Sequence, residues 1–128
     1  MTAAKMVAEF HESFGLAKKD HPELDRMLAG LREELLREEF EEYRAAESAA
    51  DLVEVADALA DMVYVIYGTA LTYGIDLDAV LAEVHRSNMS KLGEDGKPVL
   101  REDGKVIKGP AFFRPRVALV LARQSGGA

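Results

Sequence analysis

The chain has 128 residues, of which 48% are hydrophobic and 30% charged, and its formal net charge is -7. This length fits one domain over residues 1–128 with a real core, and the composition is ordinary for a soluble globular protein. The absence of cysteine excludes disulfides, a thiolate zinc site and a cysteine nucleophile. The negative charge argues against nonspecific nucleic-acid binding.

The sequence offers no clear membrane signal. Residues 1–12 are charged throughout and lack the apolar centre of a signal peptide. The most continuous apolar run, Met62 to Leu71, is too short to cross a bilayer. We therefore expect a cytoplasmic protein with no membrane partner.

Four segments show helical periodicity of their apolar residues, and they cover residues 1–16, 23–46, 50–73 and 76–91. Pro22 suits the start of the second helix, and Ser48 or Asp51 can cap the third. The third segment is apolar nearly all round, which predicts the most buried helix, and Gly74 is suited to end it. Short connections favour antiparallel neighbours.

After residue 92 the pattern changes to turns. Gly93-Glu94-Asp95-Gly96-Lys97 and Arg101-Glu102-Asp103-Gly104-Lys105 repeat a turn signal next to short apolar runs, as hairpins do. A short last helix is predicted over residues 116–123. The predicted fold is all-α, an antiparallel four- to five-helix bundle with a C-terminal glycine-rich loop or hairpin excursion.

An apolar stripe on the second helix turns into carboxylates halfway along. At about 100° per residue, one arc of the helix surface carries first leucines and then glutamates, namely Leu24, Leu28, Leu31, Leu35, Glu38, Glu39 and Glu42. Charges on a core-facing stripe are costly unless they are paired. Arg37 and Arg44 lie off this arc, nearer Glu34 and Glu41. Something else must balance the glutamates.

The third helix repeats the interruption. Glu54, Asp57 and Asp61 share an arc roughly 60° wide, and residues 56–73 contain no Lys, Arg or His. If the two clusters face each other, five or six carboxylates can hold one or two hard cations, Mg²⁺ or Mn²⁺. Such ions polarise a phosphoryl oxygen, and a carboxylate that is not a ligand can orient or deprotonate water.

These residues resemble a known signature. Glu38-Glu39-x-x-Glu42 followed by Glu54-x-x-Asp57 is similar to the paired EExxE and ExxD motifs of the MazG-like all-α NTP pyrophosphohydrolases. That superfamily includes the phosphoribosyl-ATP pyrophosphohydrolases and the dimeric dUTPases. The segments from Ala60 to Gly68 and from His85 to Lys91 extend the resemblance, which covers residues 31–115.

The resemblance implies hydrolysis of a nucleoside triphosphate between its α and β phosphates, with Mg²⁺ or Mn²⁺ as cofactor. The implied metal ligands are the six acids Glu38, Glu39, Glu42, Glu54, Asp57 and Asp61, and either Glu38 or Glu39 positions the water. The alignment of the ExxD motif on the third helix departs from the family pattern. The stretch Asp61-Met62-Val63-Tyr64 resembles the family's aspartate followed by two hydrophobic residues and a tyrosine. This alignment places the family aspartate at Asp61 and the family glutamate at Ala58, so that Asp57 or Glu54 must take the role of the glutamate.

The candidate substrate-binding residues are Arg86, Asn88, Lys91, Lys105, Lys108 and Tyr64. The cations suit phosphates, although any one lysine can simply be solvated, and Tyr64 can belong to the core. The expected assembly is a homodimer or homotetramer. Two alternatives stay open: a phosphoribosyl-ATP pyrophosphohydrolase of histidine biosynthesis, and a noncatalytic helical dimer that binds nucleotide or metal.

Overall fold

The computed structural model describes residues 1–126, and this part of the chain contains five helices and one two-stranded sheet. The elements are α1 (Ala3–Ser13), α2 (Ala29–Ser48), α3 (Leu52–Thr72), α4 (Leu77–Met89), β1 (Val99–Leu100), β2 (Val106–Ile107) and α5 (Val117–Gln124). The all-α class is therefore confirmed. The Cα positions form two compact units, Met1–Leu77 and the residues from Asp78 onward. The expectation of a single domain stays a prediction.

The start of α2 was predicted too early. The helix begins at Ala29 and not at residue 23, because the Asp25 carboxylate accepts the backbone N–H groups of Met27 and Leu28, each at 3.1 Å. Such side-chain bonds offer the backbone an alternative to the helix. The N–H of Glu23 also donates to the carbonyl of Tyr73 at 2.9 Å. Leu24 therefore lies outside the helical stripe and is exposed.

The ends of α3 follow the sequence. The Asp51 carboxylate accepts the N–H of Glu54 at 3.2 Å, which confirms it as the cap. After the helix, Gly74 has a φ of +69°, and a Cβ at this position would overlap the backbone of His21. Only glycine fits both the left-handed conformation and the close approach.

The pairing of α2 with α3 is antiparallel, as predicted. The Arg32 guanidinium donates to the Thr69 hydroxyl and to the Val65 carbonyl, both at 3.0 Å. Seven residues later on α2, Glu39 approaches Asp61, which lies eight residues earlier on α3 than Thr69. Residue numbers of the contacting pairs increase along α2 while they decrease along α3, so the two helices run in opposite directions.

The helix α1 packs on α3 through a small buried cluster. Val7 is 1% exposed and His11 3% exposed, and the ring of Phe10 meets that of Tyr64 edge-on at 5.6 Å. The His11 Nδ1 atom bonds with the carbonyl of Ala17 at 3.3 Å. Burial lowers the pKa of His11, and the nearby positive charge of Arg32 lowers it further. The lowered pKa disfavours the charged form of this imidazole, although its bond with Ala17 acts in the opposite direction.

The prediction that α3 is the most buried helix is confirmed for the described residues, although α3 still exposes several large apolar side chains. Its buried residues are Ala58, Gly68, Ala70 and Thr72, whereas Leu59, Val63 and Ile66 are 41–47% exposed. Within its unit only α1 and α2 pack against it, and two helices cannot cover a helix that is apolar all round. By length and composition alone α3 is also long and apolar enough to cross a membrane, a property that it shares with core helices of soluble proteins.

The second unit confirms the hairpin. The strands β1 and β2 pair antiparallel, with Val99 opposite Ile107 and Leu100 opposite Val106. The loop over residues 109–115 is tied to α4, because the Ser87 hydroxyl donates to the Phe113 carbonyl at 2.8 Å. The Phe113 N–H in turn donates to the Ser90 hydroxyl at 3.1 Å.

We predict that Gly68→Ala destabilises the protein by about 1–3 kcal/mol. The new Cβ would lie 2.5 Å from a terminal nitrogen of Arg32 and 3.1 Å from His11 Nε2. The guanidinium would have to withdraw from the Val65 carbonyl. Gly30→Ala is the matched control, because nothing lies within 4 Å of its Cβ position, and it should be neutral or stabilise α2. Urea unfolding measures both, and equal effects would contradict the prediction.

Candidate metal centre

Three carboxylates from two helices meet at one point of the α2–α3 pair. Glu39 and Glu42 are three residues apart on α2 and so share a face, and Asp61 comes from α3. One oxygen from each side chain lies within 4.8 Å of the others. This spacing is compatible with three oxygen ligands at 2.0–2.6 Å from one central cation.

The electrostatics of this acid triad (Glu39, Glu42 and Asp61) favour a cation. Burial, together with the neighbouring carboxylates of Glu42 and Asp61, raises the pKa of Glu39 to about 7. The Oε2 atom of Glu39 is buried and has no hydrogen-bond partner. Carboxylates only accept hydrogen bonds when ionised, so the three groups cannot satisfy one another while all of them are ionised. A hard divalent ion fits this donor set.

The nearest arginines do not neutralise the triad. Arg37 pairs with Glu34, and Arg44 lies 3.6 Å from Glu41. Both arginines therefore lie off the arc that carries the triad, on the side of Glu34 and Glu41. The positive charge that the triad lacks must therefore come from elsewhere than these two side chains.

The other predicted metal ligands lie in two different surroundings. Glu54 and Asp57 are exposed and, together with Glu42, line a cavity of about 310 Å³ between the end of α2 and the start of α3. The cavity therefore extends the acidic surface from the triad. Glu38 is exposed and is not among the three clustered acids. Their roles as ligands stay predictions.

The predicted substrate-binding residues are also placed by the structure. Arg86 pairs with Glu83 at 2.9 Å and lies 4.3 Å from the centre of the Phe113 ring. Asn88 is exposed. Lys91, Lys105 and Lys108 line one cavity of about 360 Å³. Tyr64, on α3 in the first unit, packs on Phe10 and is 40% exposed.

Two arginines were missed by the sequence analysis. Arg32 is partly buried, bonds only neutral groups among the contacts described, and lines a cavity of about 400 Å³ along α2 and α3. Nothing in the helical pattern separates it from a surface arginine. Arg101 lines the same cavity as the three lysines. The repeated turn in which it lies was the available signal.

The chain is thus an all-α protein with an acid triad between two of its helices. The sequence profile of the family described as phosphoribosyl-ATP pyrophosphohydrolase matches residues 7–88. The chain belongs to this family. The match contains the whole of α2 and α3 and therefore the acid triad.

Two further proteins are similar to this chain. A solved structure from Exiguobacterium sp. 255-15, provisionally named an NTP pyrophosphohydrolase, has 25% identity and a TM-score of 0.53 and covers 97% of this chain and 96% of its own. The uncharacterized protein L479 of Acanthamoeba polyphaga mimivirus is 30% identical over 112 residues. That match takes in 84% of this chain but only 42% of the mimivirus protein.

We predict that Mg²⁺ stabilises the protein through the acid triad, by about 1.4 kcal/mol at a concentration ten times its Kd. The ion must displace the proton that the raised pKa keeps on Glu39. Its apparent affinity should therefore fall as the pH drops below about 7. Thermal unfolding with and without Mg²⁺ at pH 6 and 8 measures this.

Glu39→Gln should abolish the Mg²⁺ shift. Glu47→Gln is the control, since Glu47 is an exposed glutamate of the same helix outside the triad. If Mg²⁺ stabilises Glu39→Gln as much as the wild-type protein, the acid triad is excluded as the binding site.

Proposed function

We propose that this chain is a cytoplasmic nucleoside triphosphate pyrophosphohydrolase that depends on Mg²⁺ or Mn²⁺ and cleaves the α–β phosphate bond. The products are a nucleoside monophosphate and pyrophosphate. The observation that carries the proposal is the acid triad, in which three carboxylates from two helices lie together and the buried oxygen of Glu39 has no partner. Membership of the family supports the same chemistry.

In this proposal the acid triad holds one divalent ion, and Glu54 and Asp57 supply oxygens for that ion or a second one from the adjoining cavity. When bound, such an ion polarises a phosphoryl oxygen and offsets the charge that develops in the transition state. The triad itself fixes where the phosphates lie relative to α2 and α3, because both helices contribute to it. Position and charge are the two contributions that phosphoryl transfer needs most.

The water must be oriented and must lose a proton as the anhydride bond breaks. If Glu39 is a ligand, Glu38 is the neighbouring carboxylate that is free to accept this proton. If Glu38 is a ligand instead, Glu39 takes that role. In either case the oxygen of the water joins phosphorus and the bridging oxygen leaves with the departing phosphate group, so that no other reactant is required.

The nucleotide needs cations and a surface for its base. We propose Arg86, Asn88, Lys91, Lys105 and Lys108 as contacts for the phosphates or ribose, supported by the cavity that the three lysines line. Tyr64 is the proposed contact for the base. Its packing against Phe10 leaves part of the ring exposed.

Phosphoribosyl-ATP is the second candidate substrate, favoured by the description of the matching family. It carries the same α–β anhydride, so the acid triad alone does not distinguish it from a simple nucleoside triphosphate. A nucleotide panel containing phosphoribosyl-ATP, dUTP and dCTP separates the two directly.

We predict turnover of at least one nucleotide of this panel in the presence of Mg²⁺ or Mn²⁺, with pyrophosphate and monophosphate formed in equal amounts. Glu39→Gln and Asp61→Asn should each reduce kcat by about 10²-fold or more. Ion-exchange chromatography of the products identifies which phosphate bond is cleaved and which nucleobase is preferred. Glu47→Gln should leave the rate unchanged.

The glutamate that positions water can be identified from the same variants. Glu38→Gln should lose turnover but keep the Mg²⁺ stabilisation if Glu38 is the base, whereas a loss of both assigns it to the metal. Release of orthophosphate alone would contradict the proposal. Mg²⁺ and nucleotide binding without any turnover would establish the noncatalytic alternative.

We also propose that the chain works as a homodimer or homotetramer. The exposed apolar residues on α2 and α3 include Leu31, Leu36, Phe40, Leu59, Val63 and Ile66, each 36–54% exposed. A monomer rarely leaves so much apolar surface on neighbouring helices in water. A second copy that covers these residues would complete the core that two neighbours cannot provide for α3.

Sedimentation analysis should therefore give a mass of two or four chains at micromolar concentration. Val63→Glu should shift this mass toward the monomer, because it places a charge on the apolar surface. Lys97→Gln, on the hairpin unit, should leave the mass unchanged. A monomeric wild-type protein would rule out the assembly.

A further inference from the structure

Four of the six residues that line a cavity on the hairpin unit are cations. Its lining residues are Lys91, Arg101, Lys105, Val106, Ile107 and Lys108, and its volume is about 360 Å³. No carboxylate is among these lining residues, although acids outnumber bases in the chain by 23 to 16. Grouping like charges is unfavourable without an anion, and among the described residues only Arg101 of the four has an ion-pair partner, Asp103.

One glycine brings the two ends of this cavity together. The N–H of Gly109 donates to the carbonyl of Lys91 at 2.8 Å. A Cβ at this position would lie 2.6 Å from that same oxygen and would overlap the carbonyl of Leu92. Only glycine permits the approach, and it carries the adjacent Lys108 back to Lys91, just beyond the end of α4.

The hairpin turn fixes the other cations. The Asp103 carboxylate accepts bonds from the side chain of Arg101 at 2.9 Å and from the N–H of Lys105 at 3.1 Å. The N–H of Arg101 donates to the carbonyl of Lys105 at 2.8 Å, which closes the turn. The ammonium of Lys108 lies 4.8 Å from the centre of the Phe112 ring. Arg101 and Lys108 are thus held in place before any ligand arrives.

We propose that this cationic cavity binds a diphosphate group, either free pyrophosphate or the terminal phosphates of a nucleotide, without requiring a metal ion. Asp103 offsets part of the charge of Arg101, and no ion pair occupies the three lysines among the residues described here. The remaining charge suits a ligand with several negative charges close together. Pyrophosphate carries more negative charge than orthophosphate and presents it on two linked phosphate groups.

The inference rests on the proposed function for its biological ligand, since pyrophosphate is there a product and a part of the substrate. Its physical content is independent, because a binding measurement requires no turnover. A diphosphate site would retain the leaving group and would make pyrophosphate an inhibitor of the reaction.

Isothermal titration of the full chain with sodium pyrophosphate, in metal-free buffer, tests the proposal. Pyrophosphate should bind at least tenfold more tightly than orthophosphate or sulfate. Lys105→Gln and Lys108→Gln should each weaken binding at least fivefold. Lys97→Gln is the matched control, because it removes the same charge from the same segment outside the cavity, and it should change the Kd less than twofold.

Several results would overturn the proposal. Equal affinity for orthophosphate, or an effect of Lys97→Gln as large as that of Lys105→Gln, would show only a general attraction of anions. Asp103→Asn tests the positioning of Arg101: it should weaken pyrophosphate binding but leave the circular dichroism spectrum unchanged. Tighter binding in this variant would mean that Asp103 acts only by repelling the anion.

Two further measurements separate the ligand sources and the two proposals. A nucleoside triphosphate that binds in metal-free buffer while its monophosphate does not would assign the cavity to the substrate; binding of free pyrophosphate alone would assign it to the product. Glu39→Gln should keep its affinity for pyrophosphate. If the protein hydrolyses a nucleotide but does not bind pyrophosphate in metal-free buffer, this inference alone is overturned. If it binds pyrophosphate but hydrolyses no nucleotide, the proposed function alone is overturned.

Discussion

The register between α2 and α3 is the constraint on which the candidate metal centre depends. Arg32 sets it by reaching across to the Val65 carbonyl and the Thr69 hydroxyl over the bare backbone of Gly68. Because an α-helix rises about 1.5 Å per residue, the same register places Glu39 beside Asp61 farther along. The hydrogen bonds of Arg32 at one end of the helix pair thus determine where the three carboxylates of the acid triad meet near the other end.

Those like charges oppose folding in the absence of a cation. Burial and two neighbouring carboxylates raise the pKa of Glu39 to about 7, so the metal-free protein is relieved of this repulsion when Glu39 takes a proton. That group therefore contributes stability at low pH that is lost as the pH rises through about 7. The buried His11 has the opposite sign, because its lowered pKa makes the folded state resist protonation. A carboxylate whose pKa is raised this strongly by burial and neighbouring charges is typical of functional sites.

The distribution of charge separates two tasks along the chain. The first unit gathers carboxylates on α2 and α3, where a hard cation would lie. The second gathers cations around a hairpin, where a phosphate anion would lie. Carboxylates suit hard cations and cationic side chains suit phosphates, so each unit taken by itself offers a different binding chemistry.

The sequence by itself determined the helical class, the hairpin and the acids that interrupt two apolar stripes, because these depend on periodicity and on local hydrogen bonds. It narrowed the cap of α3 to Ser48 or Asp51, and the structure shows that Asp51 is the cap. It misjudged the start of α2, where Asp25 captures two N–H groups, and it missed Arg32 and Arg101. Only the tertiary structure decided that Glu39, Glu42 and Asp61 meet while Glu38 stays exposed, and that four cations share one cavity. Such choices depend on helix register and on the close approaches at Gly68 and Gly109, which are contacts between residues far apart in the chain.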